Sequence, residues 1–152
     1  MESKMEIVQV KSFIVQGLHI RTCNELEMNP DTAKIPQHVQ FVDSNVGIDY
    51  KSGARAYSVY YNYESDVTGD FDILMGSNEV SSSEVALTSV EIVAGQYLKF
   101  ESEGEFPEAV INAWKSVWAY FSSSNCEHAR AYSTDFEHYE NVNKVSVYIA
   151  LK

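Results

Sequence analysis

The stretch Ala129-Arg130-Ala131-Tyr132-Ser133-Thr134-Asp135-Phe136-Glu137-His138-Tyr139-Glu140 decides how the rest of the chain is read. Aromatic and β-branched residues recur through it, which predicts a β-strand. Its opening, Arg130-Ala131-Tyr132-Ser133, repeats Arg55-Ala56-Tyr57-Ser58 at a shift of 75 residues. A second echo joins Ile14-Val15-Gln16-Gly17 to Ile92-Val93-Ala94-Gly95 at a shift of 78. Two echoes in the same order predict a duplicated chain.

Period 2 along the quoted strand puts Tyr132, Thr134, Phe136 and His138 on one face, and Ser133, Asp135, Glu137 and Tyr139 on the other. Glu137 is then a carboxylate on a strand rich in rings. Most strand glutamates face water. A carboxylate beside aromatic faces also suits a cationic, partly apolar molecule, because it supplies charge while the rings supply area and cation–π attraction. At the 75-residue shift Asn62 stands opposite Glu137 in the other half, an amide against a charge.

The elements on either side follow the same order in each half. A first strand is expected from about Ile7 to Thr22, broken near Gly17. Between Asn24 and Asn45 lies a short helix, with Pro36 in its first turn and Val39 and Val42 as a modest apolar stripe. Tyr57 to Glu64 and Phe71 to Gly76 form a hairpin around Asp66-Val67-Thr68-Gly69-Asp70. The acidic turn does not have the spacing of an EF-hand, so no metal is expected there. Ser77 to Glu84 is polar and serine-rich, a linker. A strand from about Leu87 to Phe100 follows. Pro107 opens the clearest helix, in which Val110, Ile111, Trp114, Val117, Trp118 and Phe121 recur at three- and four-residue steps as a stripe to be buried. Lys144 to Leu151 is the last strand.

The result is an α+β chain of two βαββ units about a pseudo-twofold axis, repeat 1 over about 1–80 and repeat 2 over about 84–152. Each half alone leaves an apolar sheet face uncovered, and joining them creates a central cleft of the kind that ligands favour.

Composition limits the partners. The 152 residues fit one domain with a sizeable core. A net charge of −11 argues against direct contact with nucleic acid, which needs clustered Lys and Arg. No leader-like segment or long apolar run is present, so a cytoplasmic protein with no membrane partner is expected. Cys23 and Cys126 stand in no motif and are expected as free thiols.

The motifs in order are Phe13-Ile14-Val15-Gln16-Gly17-Leu18, Lys34-Ile35-Pro36, Tyr57 to Asp66, Ile92-Val93-Ala94-Gly95-Gln96-Tyr97, the Trp114 to Trp118 helix, Asp135-Phe136-Glu137-His138-Tyr139, and Val145-Ser146-Val147-Tyr148-Ile149. In this arrangement the chain resembles the GyrI-like family, the effector-binding domain of AraC- and MerR-type multidrug regulators. Within that family it resembles stand-alone members found on bacterial integron gene cassettes. The resemblance implies a pocket between the halves with an acid and aromatics in its wall, and a cationic amphipathic ligand. Carried over by motif, Glu137 is the acid, and Tyr97, Trp114 and Trp118 are wall residues. Tyr60, Tyr139 and Asn62 are further candidates from the strand faces. Many relatives carry a tryptophan in the first helix after Ile-Pro. Val39 and Phe41 occupy that neighbourhood here, which makes Phe41 a candidate on that side.

Binding of amphipathic cations is the leading expectation, without catalytic residues or cofactor. Hydrolysis of reactive cyclopropane-bearing toxins, known in some relatives, is the enzymatic alternative. Protein interaction is the third, with gyrase or a DNA-binding regulator as partner. No DNA-binding domain is expected, since the two repeats use up the chain.

Overall fold

A computed structural model describes residues 4–66 and 68–152. Val67, inside the predicted acidic turn, lies outside the described residues. Among the described residues, ten strands and three α-helices follow in chain order: β1 (Lys4–Val10), β2 (Phe13–Thr22), α1 (Asn24–Met28), α2 (Ile35–Asn45), β3 (Val46–Gly47), β4 (Ala56–Tyr61), β5 (Phe71–Ser77), β6 (Ser82–Ser83), β7 (Thr88–Ile92), β8 (Gly95–Glu103), α3 (Glu108–Ser122), β9 (Thr134–Asn141) and β10 (Lys144–Ala150). Eight of the strands form one curled antiparallel sheet in the order β1-β8-β10-β9-β4-β5-β2-β7.

This order is a palindrome about the β9–β4 ladder. Each half contributes a hairpin at the centre, one longer strand beyond it, and a helix above. The edges are exchanged. β1 of the first half pairs with β8 of the second, and β7 of the second pairs with β2 of the first. Val10 meets Gly95 at the end of one ladder as Phe13 meets Ile92 at the end of the other. The predicted strand-helix-strand-strand unit therefore carries an extra leading strand. The expected long strands Ile7–Thr22 and Leu87–Phe100 each break where that strand crosses over.

The break at the first falls before Phe13, not at Gly17. Gly17 sits mid-strand opposite Gly76. A Cβ on Gly17 would stand 2.1 Å from the Met75 carbonyl oxygen, so the two strands approach more closely there than side chains allow. The predicted strand at 129–140 also starts late. Tyr132 has a positive φ of 55°, and regular pairing begins at Thr134. The serine-rich linker contains β6, which pairs with β3.

The register corrects the expected match of Asn62 to Glu137. Glu137 pairs with Ser58 across the central ladder, at the pseudo-dyad itself. Asn62 lies past the end of β4, is exposed, and donates to Asp72 at 2.8 Å. Loops of unequal length separate the strands in the two halves, so a single sequence shift does not hold along the repeat.

One sheet face carries both helices. α2 packs with Leu18, Ile73 and Met75 through Val42, and His38 Nε2 lies 2.8 Å from the Leu18 carbonyl. Lys34, at the N-cap of α2, makes no side-chain cap bond. Glu27 supplies one instead, accepting from the Lys34 and Ile35 amides. On the other half, Leu98, Phe100, Val147 and Ile149 pack beneath α3. The buried stripe of α3 is Ala109, Ala113 and Val117. The expected stripe shares Val117 with it, and Trp114 and Phe121 pack at its margin. Small residues let the helix lie close to the sheet, and the larger Val110, Ile111, Trp114 and Trp118 turn toward the gap between the helices. The opposite sheet face closes on itself around Val15, Val59, Ile92, Tyr97 and Phe136.

Candidate functional site

A cavity of about 1000 Å³ lies between α2 and α3, with β4 and β9 as its floor. Alternation on β9 carries Asp135, Glu137 and Tyr139 to this side and Phe136 to the closed core. Glu137 is 3% exposed. Its Oε2 accepts from the Tyr60 hydroxyl at 2.8 Å and from Trp114 Nε1 at 2.7 Å, and its Oε1 accepts from the Tyr139 hydroxyl. β4, α3 and β9 thus each send one donor to a single carboxyl group.

All three donors are neutral. Burial first, and then the adjacent Glu137 carboxylate, holds the Tyr60 and Tyr139 hydroxyls well above the ordinary phenol range, so both remain protonated donors. Among the described residues no Lys, Arg or His forms an ion pair with Glu137. Donors satisfy the lone pairs and leave the negative charge without a cation.

Rings complete this part of the wall. Tyr60 stands edge-on to Trp114 at 5.0 Å and packs on Phe71 at 5.6 Å. Trp114 and Trp118 lie 6.2 Å apart along α3. Trp118 is 40% exposed, which is unusual for a tryptophan unless its ring faces a cleft. Phe106 packs against Tyr139 at the N-terminal end of the helix.

The cavity brings together Glu137, Trp114, Trp118, Tyr60 and Tyr139. Three further candidates stand elsewhere. Tyr97 is fully buried on the closed face, where its hydroxyl contacts the Val93 carbonyl at 2.5 Å and Thr134 Oγ1 at 2.9 Å. Alternation along β8, counted from the glycine that starts it, turns this ring away from the helices. Asn62 is spent on Asp72. Phe41 is 52% exposed on α2 and points off the cavity wall, which Val39 and Val42 form instead.

Sequence reasoning missed the residues at the other end of the cavity. Tyr63 donates to Asp135 at 2.5 Å, and Arg130 Nη2 binds the same oxygen at 2.7 Å. Asp135 is completely buried, and its Oδ1 accepts from the Ala150 amide. The Arg130 of the repeated tetrapeptide was the available signal, but adjacency in sequence gave no hint that it folds back on Asp135. Among the described residues no group of His, Cys, Asp and Glu is arranged to hold a metal ion. Nor is any helix long and apolar enough to cross a membrane. Cys23 and Cys126 are free thiols.

The fold and the sequence have relatives. An integron cassette protein from the mobile metagenome of Vibrio cholerae is 39% identical, with a TM-score of 0.88 over 97% of this chain and 95% of that one. A putative transcription regulation protein from Staphylococcus aureus MU50 shares the fold at 15% identity, with a TM-score of 0.69 over 98% of both chains. SAV2435, solved bound to tetraphenylphosphonium, does so at 14% identity, with a TM-score of 0.62 over 100% of this chain and 94% of that one. No curated protein matches significantly. The family model for integron-associated effector-binding proteins spans residues 6–151, and with the ring-lined cavity it identifies a small-molecule-binding chain that belongs to the Cass2 family.

Proposed function

We propose that this protein captures amphipathic cations, with Glu137 as the charge determinant and Tyr60, Trp114, Trp118 and Tyr139 as the apolar wall. The observation that carries this reading is the charge balance at Glu137. The carboxyl group is buried, held by neutral donors, and faces a roomy aromatic cavity without a basic partner. A ligand that brings a delocalised positive charge supplies what the site lacks, and an apolar body replaces water against the rings. Size and ring content favour breadth over tight selection.

Capture proceeds without turnover in this reading, in keeping with the match to an effector-binding family. The protein acts in the cytoplasm, as a single effector-binding domain built from two repeats. Where ligand occupancy reaches a promoter, a separate DNA-binding regulator is the partner, since the chain's own charge is unsuited to DNA.

Tetraphenylphosphonium is the first probe, titrated by calorimetry against the wild type and Glu137→Gln. A positive centre about 5 Å from the carboxylate at an effective dielectric of about 20 gains roughly 3 kcal/mol, part of which the three donors screen. The variant is expected to bind about tenfold to a hundredfold more weakly. Equal affinity removes Glu137 from the mechanism.

A further inference from the structure

The cavity is unequal on its two sides. Rings and the buried acid line it from α3 and β9. The α2 side is aliphatic, formed by Ile35, Val39, Val42, Ile48 and Met75. Ile35, Val42 and Met75 belong to the apolar cluster beneath α2, whereas Val39 is 39% exposed. Of the polar lining residues on this side, Glu27 accepts from the Lys34 and Ile35 amides, and Arg55 Nη1 donates to the Tyr50 and Ala54 carbonyls. Asp43 and Tyr50 are exposed.

The sheet floor joins the two sides in one row. Ser58 pairs with Glu137 on β9 and with Met75 on β5. Glu137 and Met75 are therefore two strand spacings apart, about 10 Å. Ser58, between them, is small and buried, so no large side chain rises from the floor along that row. Volume leads the same way. At about 1000 Å³ the cavity lies at the upper end of the range for pockets that take drug-sized molecules. A small cationic head at Glu137 leaves the α2 side unfilled, and apolar space of that kind takes an apolar guest in preference to water.

We infer that the α2 side of the cavity is an alkyl-chain subsite. It rests on the cation-capture reading and deepens it by naming the ligand class, a long-chain cationic amphiphile. The positive head lies against Glu137 among the rings, and the chain crosses over Ser58 to Met75, Val42 and Val39. About eight carbon–carbon bonds, at roughly 1.2 Å of advance each, cover that distance. Each methylene removed from water along the way raises affinity, by up to about fourfold at full burial.

Hexyl- and dodecyltrimethylammonium, kept below their micelle concentrations, test this by calorimetry on the wild type, Val39→Asn and Glu137→Gln. In the wild type the dodecyl probe is expected to bind at least about thirtyfold more tightly than the hexyl. Val39→Asn, at an exposed helix position, is expected to lower that ratio about fivefold. A wild-type ratio under about threefold overturns the subsite. So does a ratio in Val39→Asn within about twofold of the wild-type one, because the chain would then lie elsewhere. Should Val39→Asn fail to fold, the isosteric Val39→Thr replaces it, with the same direction and the same refutation. The hexyl probe reports separately on cation capture: equal binding by wild type and Glu137→Gln sinks that reading and leaves the chain-length ratio to be judged alone.

Discussion

Tyr60→Phe separates what the Glu137 donors do for folding from what they do for ligand. Phenylalanine keeps the ring against Phe71 and Trp114 and deletes only the hydroxyl. Glu137 Oε2 then retains Trp114 Nε1, and Oε1 retains Tyr139. A hydrogen bond to a charged acceptor contributes about 1.5–3 kcal/mol, so the free protein should lose about 2 kcal/mol. In a chain of this length that lowers Tm by roughly 4–8 °C. Cation affinity should move the other way. Each donor draws charge from the carboxylate, and with one gone a cation meets less competition, for a gain of about threefold to tenfold. Thermal melts with and without tetraphenylphosphonium, paired with calorimetric titration, measure both. Affinity that falls together with stability would refute the reasoning, and would make the hydroxyl a ligand contact or a support for the wall.

Other consequences are equally open to measurement. Burial and the neighbouring carboxylates raise the pKa of Tyr60, Tyr63 and Tyr139 in the folded state. The stability they carry is therefore complete below the unfolded phenol value of about 10 and is lost as pH rises beyond it. Urea midpoints should fall steeply above about pH 10, and less steeply in Tyr60→Phe. Asp135→Asn strands the buried Arg130 charge and should cost about 3–5 kcal/mol, read from chemical denaturation. Gly17→Ala forces β2 from β5 and should cost at least about 2 kcal/mol by the same assay. Trp118→Ala, at a half-open position, should weaken cation binding about fivefold while shifting stability by less than about 1 kcal/mol.

The fold was largely legible because duplication leaves a trace that short identities preserve. Arg55-Ala56-Tyr57-Ser58 and Arg130-Ala131-Tyr132-Ser133 reveal the repeat, yet the two segments take different shapes. Tyr57 lies in β4, while Tyr132 is left-handed and outside β9. Identity of four residues does not fix register, which follows the ladder, and the ladder sets Ser58 against Glu137. Strand exchange had no sequence signal, since pairing partners far apart in the chain leave no local mark. The α3 stripe was misjudged in part, at Val110, Ile111 and Trp118, for a physical reason. Apolar periodicity marks a face that avoids bulk water, and it does not tell a core from a ligand cavity. Alanines buried at the real interface contribute little to such a pattern. Glu137 was legible from its strand and motif; the Asp135–Arg130–Tyr63 cluster needed the folded chain.

The crossed edge strands also set the order in which the molecule can assemble. β1 has no partner until Gly95–Glu103 exists, so a growing chain carries an N-terminal segment with unpaired amides and carbonyls through most of its synthesis. Contacts of such long sequence separation slow folding. Glu6 and Lys11, charged and exposed, give the waiting strand some protection from pairing with the wrong neighbour.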